Sequence, residues 1–312
     1  MDVSFRFEDG PPLMMIIARR YGQLGNRLFL YAHLIAAARH YGVELRNPCF
    51  AEYAALFPST RNDLWCRYTT HLNGRFIDTG SGRAPSQPVR LGLMHGIQAV
   101  AKTMNAFGMR DYPAKVIRLR SGQECDLEGE LFRSAVESGR TLLLQGWLFR
   151  SPRLLQNHWS HIRDFFAVSA DDQNAIDLTM QQARRASDVV VGVHIRRGDY
   201  AEFQGGRYYF DDRLYANWMR SVCDQLPGRT VQFLVCSHER LNPQHFAGLN
   251  ITPGPGTALR DMYALAETDW MMGPPSTFTA WAAFVGRKPR VELQSCEQTV
   301  AVPHPVAEQA AA

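Results

Sequence analysis

The chain begins its patterned part with an apolar run of strand length, Leu13 to Ala18, which ends in a glycine-containing turn. After the turn, apolar residues recur at helical spacing, at Leu28, Tyr31, Ala32, Ile35 and Ala36. This order of strand, glycine turn and helix predicts the opening of an α/β fold.

The same pattern returns in the second half with more regularity. The β-branched run DVVVGVHI, from Asp188, is typical of a buried parallel strand, and VQFLVCS predicts a second one. Helical stripes alternate with these runs, at Leu214, Trp218 and Val222, at Leu259, Met262, Tyr263 and Ala266, and at Phe278, Trp281, Ala282 and Val285. The alternation predicts a parallel sheet with helices on both faces.

The part between these two segments is less regular. Residues 45–135 carry prolines that interrupt every candidate element, so only a mixed structure is predicted there. A strand near Leu142 to Leu144 and a helix within 169–188 follow. We therefore expect a leader at 1–12, a first α/β domain at 13–180, a second domain at 181–292 and a tail at 293–312.

Composition excludes several classes of protein. The 312 residues are 46% apolar and 21% charged, which excludes a mainly disordered chain, and a net charge of +4 is too dilute to predict nucleic-acid binding. The six cysteines form no CxxC pair and read as reduced thiols, and no stretch reaches the roughly 18 apolar residues of a membrane span. We expect a cytoplasmic protein, with peripheral contact to the inner membrane surface left open and no oligomeric state predicted.

Ionisable residues are concentrated where the strand VGVHI ends, at His194, Arg196, Arg197, Asp199 and Tyr200. Ligands of parallel α/β sheets bind outside such carboxyl ends. One guanidinium could fork onto a phosphate while a carboxylate holds the other. An arginine–aspartate network that only locks the loop, and a histidine that only fills the core, are the alternatives.

A second candidate is the helix start in GPPSTFTAW. Ser276, Thr277 and Thr279 crowd a first turn whose free N–H groups and dipole attract anions. Plain N-capping by Ser276 or Thr277 is the alternative.

Three further patterns are weaker. The turn GQLGN fails both common nucleotide-binding patterns, and Asn26 either donates across a cleft or belongs to an ordinary turn. Ser237 and Glu239 follow the strand VQFLV, so they would share an edge with the arginines if the strands are neighbours. His158 and His161 lack a third ligand at a sensible spacing, so no metal site is predicted.

Together, GQLGN, HIRRGDY, the Ser/Thr-Phe-Ser/Thr-x-Trp helix start and GWLFRSPRLL resemble the inverting α-1,2-fucosyltransferases of glycosyltransferase family 11. The likeness covers most of residues 13–290. It implies a GT-B architecture of two Rossmann-like domains that face each other across a cleft. It also implies GDP-β-L-fucose as donor, a glycan or galactoside acceptor whose O-2 is fucosylated, and no metal or other cofactor.

The resemblance also implies roles for individual residues. His194 would contact the guanosine and Arg196 the diphosphate, and Arg196 and Asp199 would be the catalytic pair. The remaining donor-side residues would be Arg197, Ser237, Glu239, Ser276, Thr277, Phe278 and Thr279, with Gly25 and Asn26 on the acceptor side and Asn26 also reaching the donor.

Two departures from the family pattern bear on the donor. The family shows Ser-Asp-Asp where this chain has Ser237, His238 and Glu239, and Asn-Ser-Ser-Phe-Ser-Trp-Trp where it has PPSTFTAW. If the missing aspartate holds the guanine, Glu239 or another residue must replace it. A transferase for another nucleotide sugar and a non-catalytic nucleotide- or glycan-binding protein are therefore the alternatives.

Charge alone predicts the mechanism. Breaking a sugar–phosphate bond places negative charge on the leaving diphosphate, which a fixed arginine and helix N–H groups can stabilise without a metal. For a general base, the only suggestions are Glu52 and Asp63 of the first domain.

Overall fold

The computed structural model describes residues 14–69, 83–185 and 187–303. The chain divides into two compact units between Ser169 and Ala170. The expected leader, residues 1–12, lies outside the described ranges.

The first unit is built on a five-stranded sheet. Its strands are β1 (Met14–Ile17), β2 (Glu44–Arg46), β3 (Arg67–Tyr68), β4 (Lys115–Arg118), β5 (Cys125–Asp126), β6 (Leu142–Gln145) and β7 (Phe149–Arg150). Its α-helices are α1 (Leu24–Tyr41), α2 (Pro58–Arg61), α3 (Gln87–Ala106), α4 (Glu130–Glu137), α5 (Pro152–Asn157) and α6 (Trp159–Phe165). The sheet order is β3-β2-β1-β6-β4, parallel except for β3, while β5 and β7 form a separate parallel pair.

Helix α1 is almost entirely buried, which explains why its sequence is apolar on most sides. It ends at Gly42, whose left-handed backbone (φ 67°) lets its N–H bond back to the carbonyl of Ala38. Within the helix, Tyr31 packs edge-on against Phe50 and Phe165, which lie outside it. This aromatic cluster fixes α1, and with it the turn after β1.

The second unit is a five-stranded, wholly parallel sheet with helices. Its strands are β8 (Val189–His194), β9 (Val231–Cys236), β10 (Ile251–Pro253), β11 (Trp270–Gly273) and β12 (Arg290–Glu292). Its α-helices are α7 (Ala170–Arg184), α8 (Asp212–Asp224), α9 (Ala258–Ala266) and α10 (Thr277–Gly286). The sheet order is β10-β9-β8-β11-β12, and every pairing is parallel.

Counted from the start of this unit, the strand order is 3-2-1-4-5, which is the order of a Rossmann sheet. The chain leaves β8 toward one side of the sheet and returns on the other side at β11. The crevice at this switch point, between the carboxyl ends of β8 and β11, is where ligands bind in such folds. The two predicted Rossmann-like α/β units are thus both present.

Two expected boundaries differ from the structure. Helix α7 was expected in the first domain, but it packs on α9, β10 and β9 and therefore opens the second unit. Residues 293–303 were expected in a tail, yet Leu293 and Val300 are fully buried in the second core, and Gln298 accepts a bond from the Trp218 indole N–H. Residues 304–312 lie outside the described ranges.

Within the described ranges, no helix combines the length and the apolar character that crossing a membrane would require.

Candidate functional site

The predicted site residues of the second unit lie at the switch point of its sheet. Strand β8 ends at His194, and β11 ends at Gly273 beside it. The two strand ends approach so closely that a Cβ on Gly273 would lie 2.9 Å from the His194 carbonyl oxygen. A side chain there would push β11 and the start of α10 away from β8, so glycine is required by space.

His194 is buried and stacks on Phe278, with ring centroids 4.6 Å apart and planes 22° from parallel. Burial, followed by the charges of Arg196 and His238, lowers the pKa of His194 to about 3, so the ring is neutral at pH 7. Its Nδ1 is buried and has no hydrogen-bond partner among the described residues. A buried, unsatisfied nitrogen at a strand end is a position that a bound ligand would complete.

Arg196 shows the same incompleteness. Its Nη2 donates to Asp199 Oδ1 at 2.7 Å, and its guanidinium lies 5.0 Å from the Tyr200 ring centroid. Its Nε is buried and has no hydrogen-bond partner among the described residues. Asp199 therefore fixes the guanidinium and leaves donor capacity for an anion.

Arg197 has a different environment from its neighbour. It is 5% exposed and donates to the carbonyl of Phe210 and to Asp212 at the start of α8. Its guanidinium also lies over the rings of Tyr209 and Tyr215. The side chain ties the loop after β8 to α8, which is a positioning role.

The first turn of α10 is capped by Ser276 and is also held by hydrogen bonds from Arg290 of β12. Ser276 Oγ accepts from the Phe278 N–H at 3.1 Å, and Thr279 is fully buried with its hydroxyl donating to the Ser276 carbonyl. Arg290 of β12 donates to both the Ser276 carbonyl and Thr279 Oγ1 at 3.2 Å. Capping by Ser276, the simpler alternative, is therefore realised. The burial of Thr279 makes it part of the support for this helix end.

The turn before α10 is tied to the loop after β8. The Tyr200 hydroxyl donates to the Pro275 carbonyl at 2.6 Å, which links the segment carrying Arg196 to the helix entry. Thr277 is the first residue of α10. Tyr200, whose ring lies against the Arg196 guanidinium, thus connects the loop after β8 to the residues that precede α10.

A pocket of about 310 Å³ opens at these strand ends. It is lined by His194, Arg196, Asp199, Cys236, Ser237, His238, Gly256, Ala258, Asp261 and Phe278. A volume of this size is near the lower end of the range for small-molecule sites.

Asp261, at the start of α9, is the lining residue that sequence reasoning missed. Its Oδ1 accepts from the Gly256 N–H at 2.8 Å. Burial raises the pKa of the carboxyl, and this hydrogen bond, which lowers the pKa, only partly offsets the effect of burial. A Cβ on Gly254 would lie 2.7 Å from the same oxygen. The signal was available: an aspartate follows the glycine-rich segment TPGPGT in the first turn of a helix.

The three residues after β9 divide between pocket and surface. Ser237 and His238 line the pocket, whereas Glu239 is exposed and lies 3.5 Å from the His238 Nε2. Glu239 is absent from the pocket lining, whose two carboxylates are Asp199, paired with Arg196, and Asp261.

In the first unit, the predicted residues Gly25 and Asn26 lie in the first turn of α1. Asn26 packs over Gly22, whose φ is +57° and where a Cβ would overlap the Asn26 amide. Only glycine combines that backbone with that contact.

Neither suggested base has the character of one. Asp63 accepts from the backbone N–H groups of Trp65 and Arg67 and from Arg67 Nε at 2.8–3.0 Å. Burial would raise the pKa of Glu52, but bonds and charges from Arg27 and Arg20, each 2.6 Å away, outweigh it and lower that pKa. Both carboxylates hold structure in the first unit.

The described residues contain no group of three or more His, Cys, Asp or Glu side chains placed to hold a metal ion. The positive groups available at the switch point are the Arg196 guanidinium and the amides at the start of α10. Chemically, this arrangement can bind a phosphate-bearing ligand and stabilise negative charge that develops on it.

A sequence-family comparison agrees with the location of this pocket. Residues 151–302 match the model of Glycosyl transferase family 11, and this range contains the whole pocket. No curated protein matches the chain significantly.

Solved structures show the fold. The Arabidopsis thaliana FUT1 mutant in complex with GDP matches with a TM-score of 0.56 at 14% identity, over 91% of this chain and 70% of that one. NodZ alpha-1,6-fucosyltransferase soaked with GDP-fucose matches with a TM-score of 0.50 at 15% identity, over 90% and 95%. POFUT1 in complex with GDP-fucose matches with 0.50 at 9% identity, over 92% and 98%. At these identities the likeness confirms the predicted fold class and carries no substrate.

Proposed function

We propose that this chain, whose residues 151–302 match the Glycosyl transferase family 11 model, transfers L-fucose from GDP-β-L-fucose to a sugar hydroxyl, O-2 of a galactoside. The reaction proceeds with inversion and without a metal. The observation that carries the proposal is the buried Nε of Arg196, which has no hydrogen-bond partner among the described residues and whose guanidinium Asp199 fixes at the switch point of the sheet.

In this proposal, Arg196 takes the charge of the departing diphosphate. Cleavage of the fucose–phosphate bond gives the sugar oxocarbenium character and gives GDP the electron pair. A charge-assisted hydrogen bond contributes roughly 1.5 to 3 kcal/mol. One that strengthens in the transition state therefore supplies about ten- to a hundredfold in rate. The amide N–H of Thr277, the first residue of α10, adds to it, so no metal is required.

The pocket also suggests how guanine is recognised. Guanine presents an N1–H and a 2-amino group side by side, and a carboxylate accepts two such donors. Of the two carboxylates in the pocket lining, Asp199 is paired with Arg196, whereas Asp261 has its Oδ1 positioned by the Gly256 N–H. Asp261 would thus serve the role for which the family pattern uses an aspartate after Ser237.

On the acceptor side, we propose Gly25 and Asn26 for contact with the sugar. We assign no general base, because Glu52 is ion-paired and Asp63 is fully engaged. In a dissociative transition state, fucose becomes electrophilic before the acceptor oxygen attacks, so the hydroxyl need not be deprotonated first and loses its proton to water once the new C–O bond has formed. The six cysteines are all free, which supports a reducing, cytoplasmic setting.

The deciding experiment measures GDP release from GDP-fucose and GDP-mannose with a panel of galactosides, with and without EDTA. We expect acceptor-dependent turnover of GDP-fucose alone, unaffected by EDTA, and α-1,2-linked product by NMR. Calorimetry with GDP, UDP and CMP tests the nucleotide separately. Tight UDP binding would favour another nucleotide sugar, and GDP binding with no sugar release from either donor would favour a non-catalytic binding protein.

A further inference from the structure

We propose that the first unit binds an acidic saccharide, one that carries a carboxylate or phosphate group next to the sugar that is fucosylated. The site lies at the carboxyl ends of β1, β6 and β4, where Arg118 is the last residue of β4 and the other members follow the strands. We call it the acceptor edge: Arg19, Tyr21, Arg118, Arg120 and Trp147. This inference rests on the proposed function, because it names the acceptor class of that reaction.

The topology places these residues at one edge of the sheet. Strand β6 lies between β1 and β4, and Leu144 pairs with both Ile17 and Ile117, so the three strands end at the same level. After β1, the chain adds β2 and β3 on one side of β1, and then β4 and β6 on the other side. That makes the carboxyl ends of these strands a second switch point, where ligands of open α/β sheets bind.

Two partly exposed aromatic rings belong to this edge, Tyr21 after β1 and Trp147 after β6. Arg150 lies 4.7 Å from the Trp147 ring centroid and donates to the carbonyls of Trp147 and Phe149 at 2.7 and 2.9 Å. The indole is therefore held in place by its own loop. The electron-rich face of an aromatic ring is a good surface for the C–H face of a pyranose.

The charges at this edge are unbalanced. Arg19, Arg118 and Arg120 are exposed, and none of them forms an ion pair within the described ranges. The acidic residue near the turn after β1, Glu52, is already paired with Arg20 and Arg27. The acceptor edge thus has arginines that no described carboxylate neutralises.

Arginine and ring are also close to each other. The Arg19 guanidinium lies 5.1 Å from the Tyr21 ring centroid. Burial raises the pKa of Tyr21, and the charges of Arg19 and Arg118 oppose that rise, so both arginines act on the same phenol. A saccharide lying on the rings would have these guanidinium groups within reach of an attached anion.

The alternative is that these arginines form an ordinary solvated face, and acceptor discrimination tests it. The probes are lactose, the same disaccharide with its reducing unit oxidised to a uronic acid, and lactose 1-phosphate. With GDP-fucose as donor, we expect kcat/KM to be about tenfold or more higher for an acidic probe, as one charge-assisted hydrogen bond predicts. The preference should shrink as salt is raised. Comparing kcat/KM for the uronic acid probe with that for lactose 1-phosphate shows whether the site prefers a carboxylate or a phosphate.

The variants assign the preference to residues. Arg19→Gln combined with Arg118→Gln and Arg120→Gln should bring the acidic-to-neutral ratio close to one and leave the KM for GDP-fucose unchanged. Trp147→Ala should raise the acceptor KM for charged and neutral probes alike, and Trp147→Phe should restore most of it. Arg110→Gln is the matched control, because Arg110 is exposed but precedes β4 at the opposite edge.

Calorimetry of the same saccharides on the GDP complex keeps this test separate from the proposed function. Acidic saccharides that bind more tightly than lactose, without any turnover, would overturn the fucosyl transfer and retain the acidic site. Turnover that is equal for all three probes, or a preference that survives the triple arginine variant, would overturn the acidic site alone.

Discussion

Arg196 and Arg197 are adjacent in the chain, yet their guanidinium groups have opposite surroundings. Arg196 keeps a buried donor without a described partner, whereas Arg197 spends its donors on the Phe210 carbonyl and Asp212. The difference arises because successive residues after a strand face opposite sides, so one meets the pocket and the other meets α8. The consequence is that only one of the two is available to a ligand.

Replacing Arg196 should therefore affect catalysis far more than folding. We expect Arg196→Ala to lower kcat by up to about a hundredfold, and Arg196→Lys to remain about tenfold impaired, because an ammonium cannot fork across two phosphate oxygens. Steady-state kinetics and thermal unfolding measure the two effects. Arg229→Ala, at an exposed turn, is the control, and wild-type kinetics in Arg196→Ala would remove Arg196 from the mechanism.

Asp261 and Glu239 offer a direct comparison of two carboxylates. Asp261→Asn keeps an oxygen for the Gly256 N–H but presents an amide donor to guanine, so GDP affinity should fall about ten- to a hundredfold. Glu239→Gln should leave it unchanged, because Glu239 is exposed and outside the pocket lining. Calorimetry with GDP decides; the reverse ranking would make Glu239 the base-recognition residue.

At the scale of elements, two helical glycines differ in the space around them. Gly286, at the end of α10, lies where a Cβ would come within 2.0 Å of the Ala266 carbonyl at the end of α9. Gly92, in the middle of α3, has open space around its Cα. The same substitution should thus have opposite signs at the two positions.

We expect Gly286→Ala to destabilise the protein by about 1 to 3 kcal/mol, because the two helices must separate. Gly92→Ala should stabilise it by roughly 0.5 to 1 kcal/mol, since alanine loses less backbone entropy in a helix. Denaturant unfolding of both variants gives the values. If both variants change the free energy of unfolding equally, the α9–α10 contact can accommodate an added methyl group without moving the helices apart.

Elements that bury a complete apolar stripe were predictable, and short edge elements were not. Strands β8 and β9 and helices α8 to α10 agree with the sequence pattern within a few residues. Strands β10 and β12 have three residues each, too few to show a periodicity. Their formation depends on pairing with a neighbour already in the sheet, which is tertiary information.

The candidate site was predictable for a similar reason. HIRRGDY and the start of α10 place polar residues directly after apolar strands, which any parallel sheet brings to one edge. Asp261 was missed because it follows a loop after the short strand β10. The roles of Arg196 and Arg197 could not be separated, because that separation depends on Asp212, a residue of another element.

For the whole molecule, buried histidines should make the stability sensitive to acid. Burial is the main cause that lowers the pKa of both His33 and His194 to about 3. Each ring stays neutral in the folded state while the unfolded chain takes up a proton below its ordinary pKa of roughly 6.5. Stability is thus fully present above about pH 6.5 and is lost progressively as the pH falls toward 3.

At about 1.36 kcal/mol per pH unit, each histidine should subtract roughly 2 kcal/mol between pH 6.5 and pH 5. Unfolding free energies measured across that interval test this. In His33→Gln, the amide oxygen can accept the Ser151 N–H that now bonds to His33 Nδ1. This variant should reduce the slope of the unfolding free energy against pH by the contribution of one proton. An unchanged slope in that variant would show that His33 is protonated when folded.

The burial of Leu293 and Val300 has a consequence for how the protein is made. The sheet of the first unit is complete once β6 has left the ribosome, so that unit can close early in synthesis. The second core must wait for the segment that contributes Val300 and the Gln298 carbonyl to Trp218. During that interval the nascent chain exposes the apolar surface around Trp218 although its first unit can already be folded. We therefore expect chaperones to bind the second unit during synthesis.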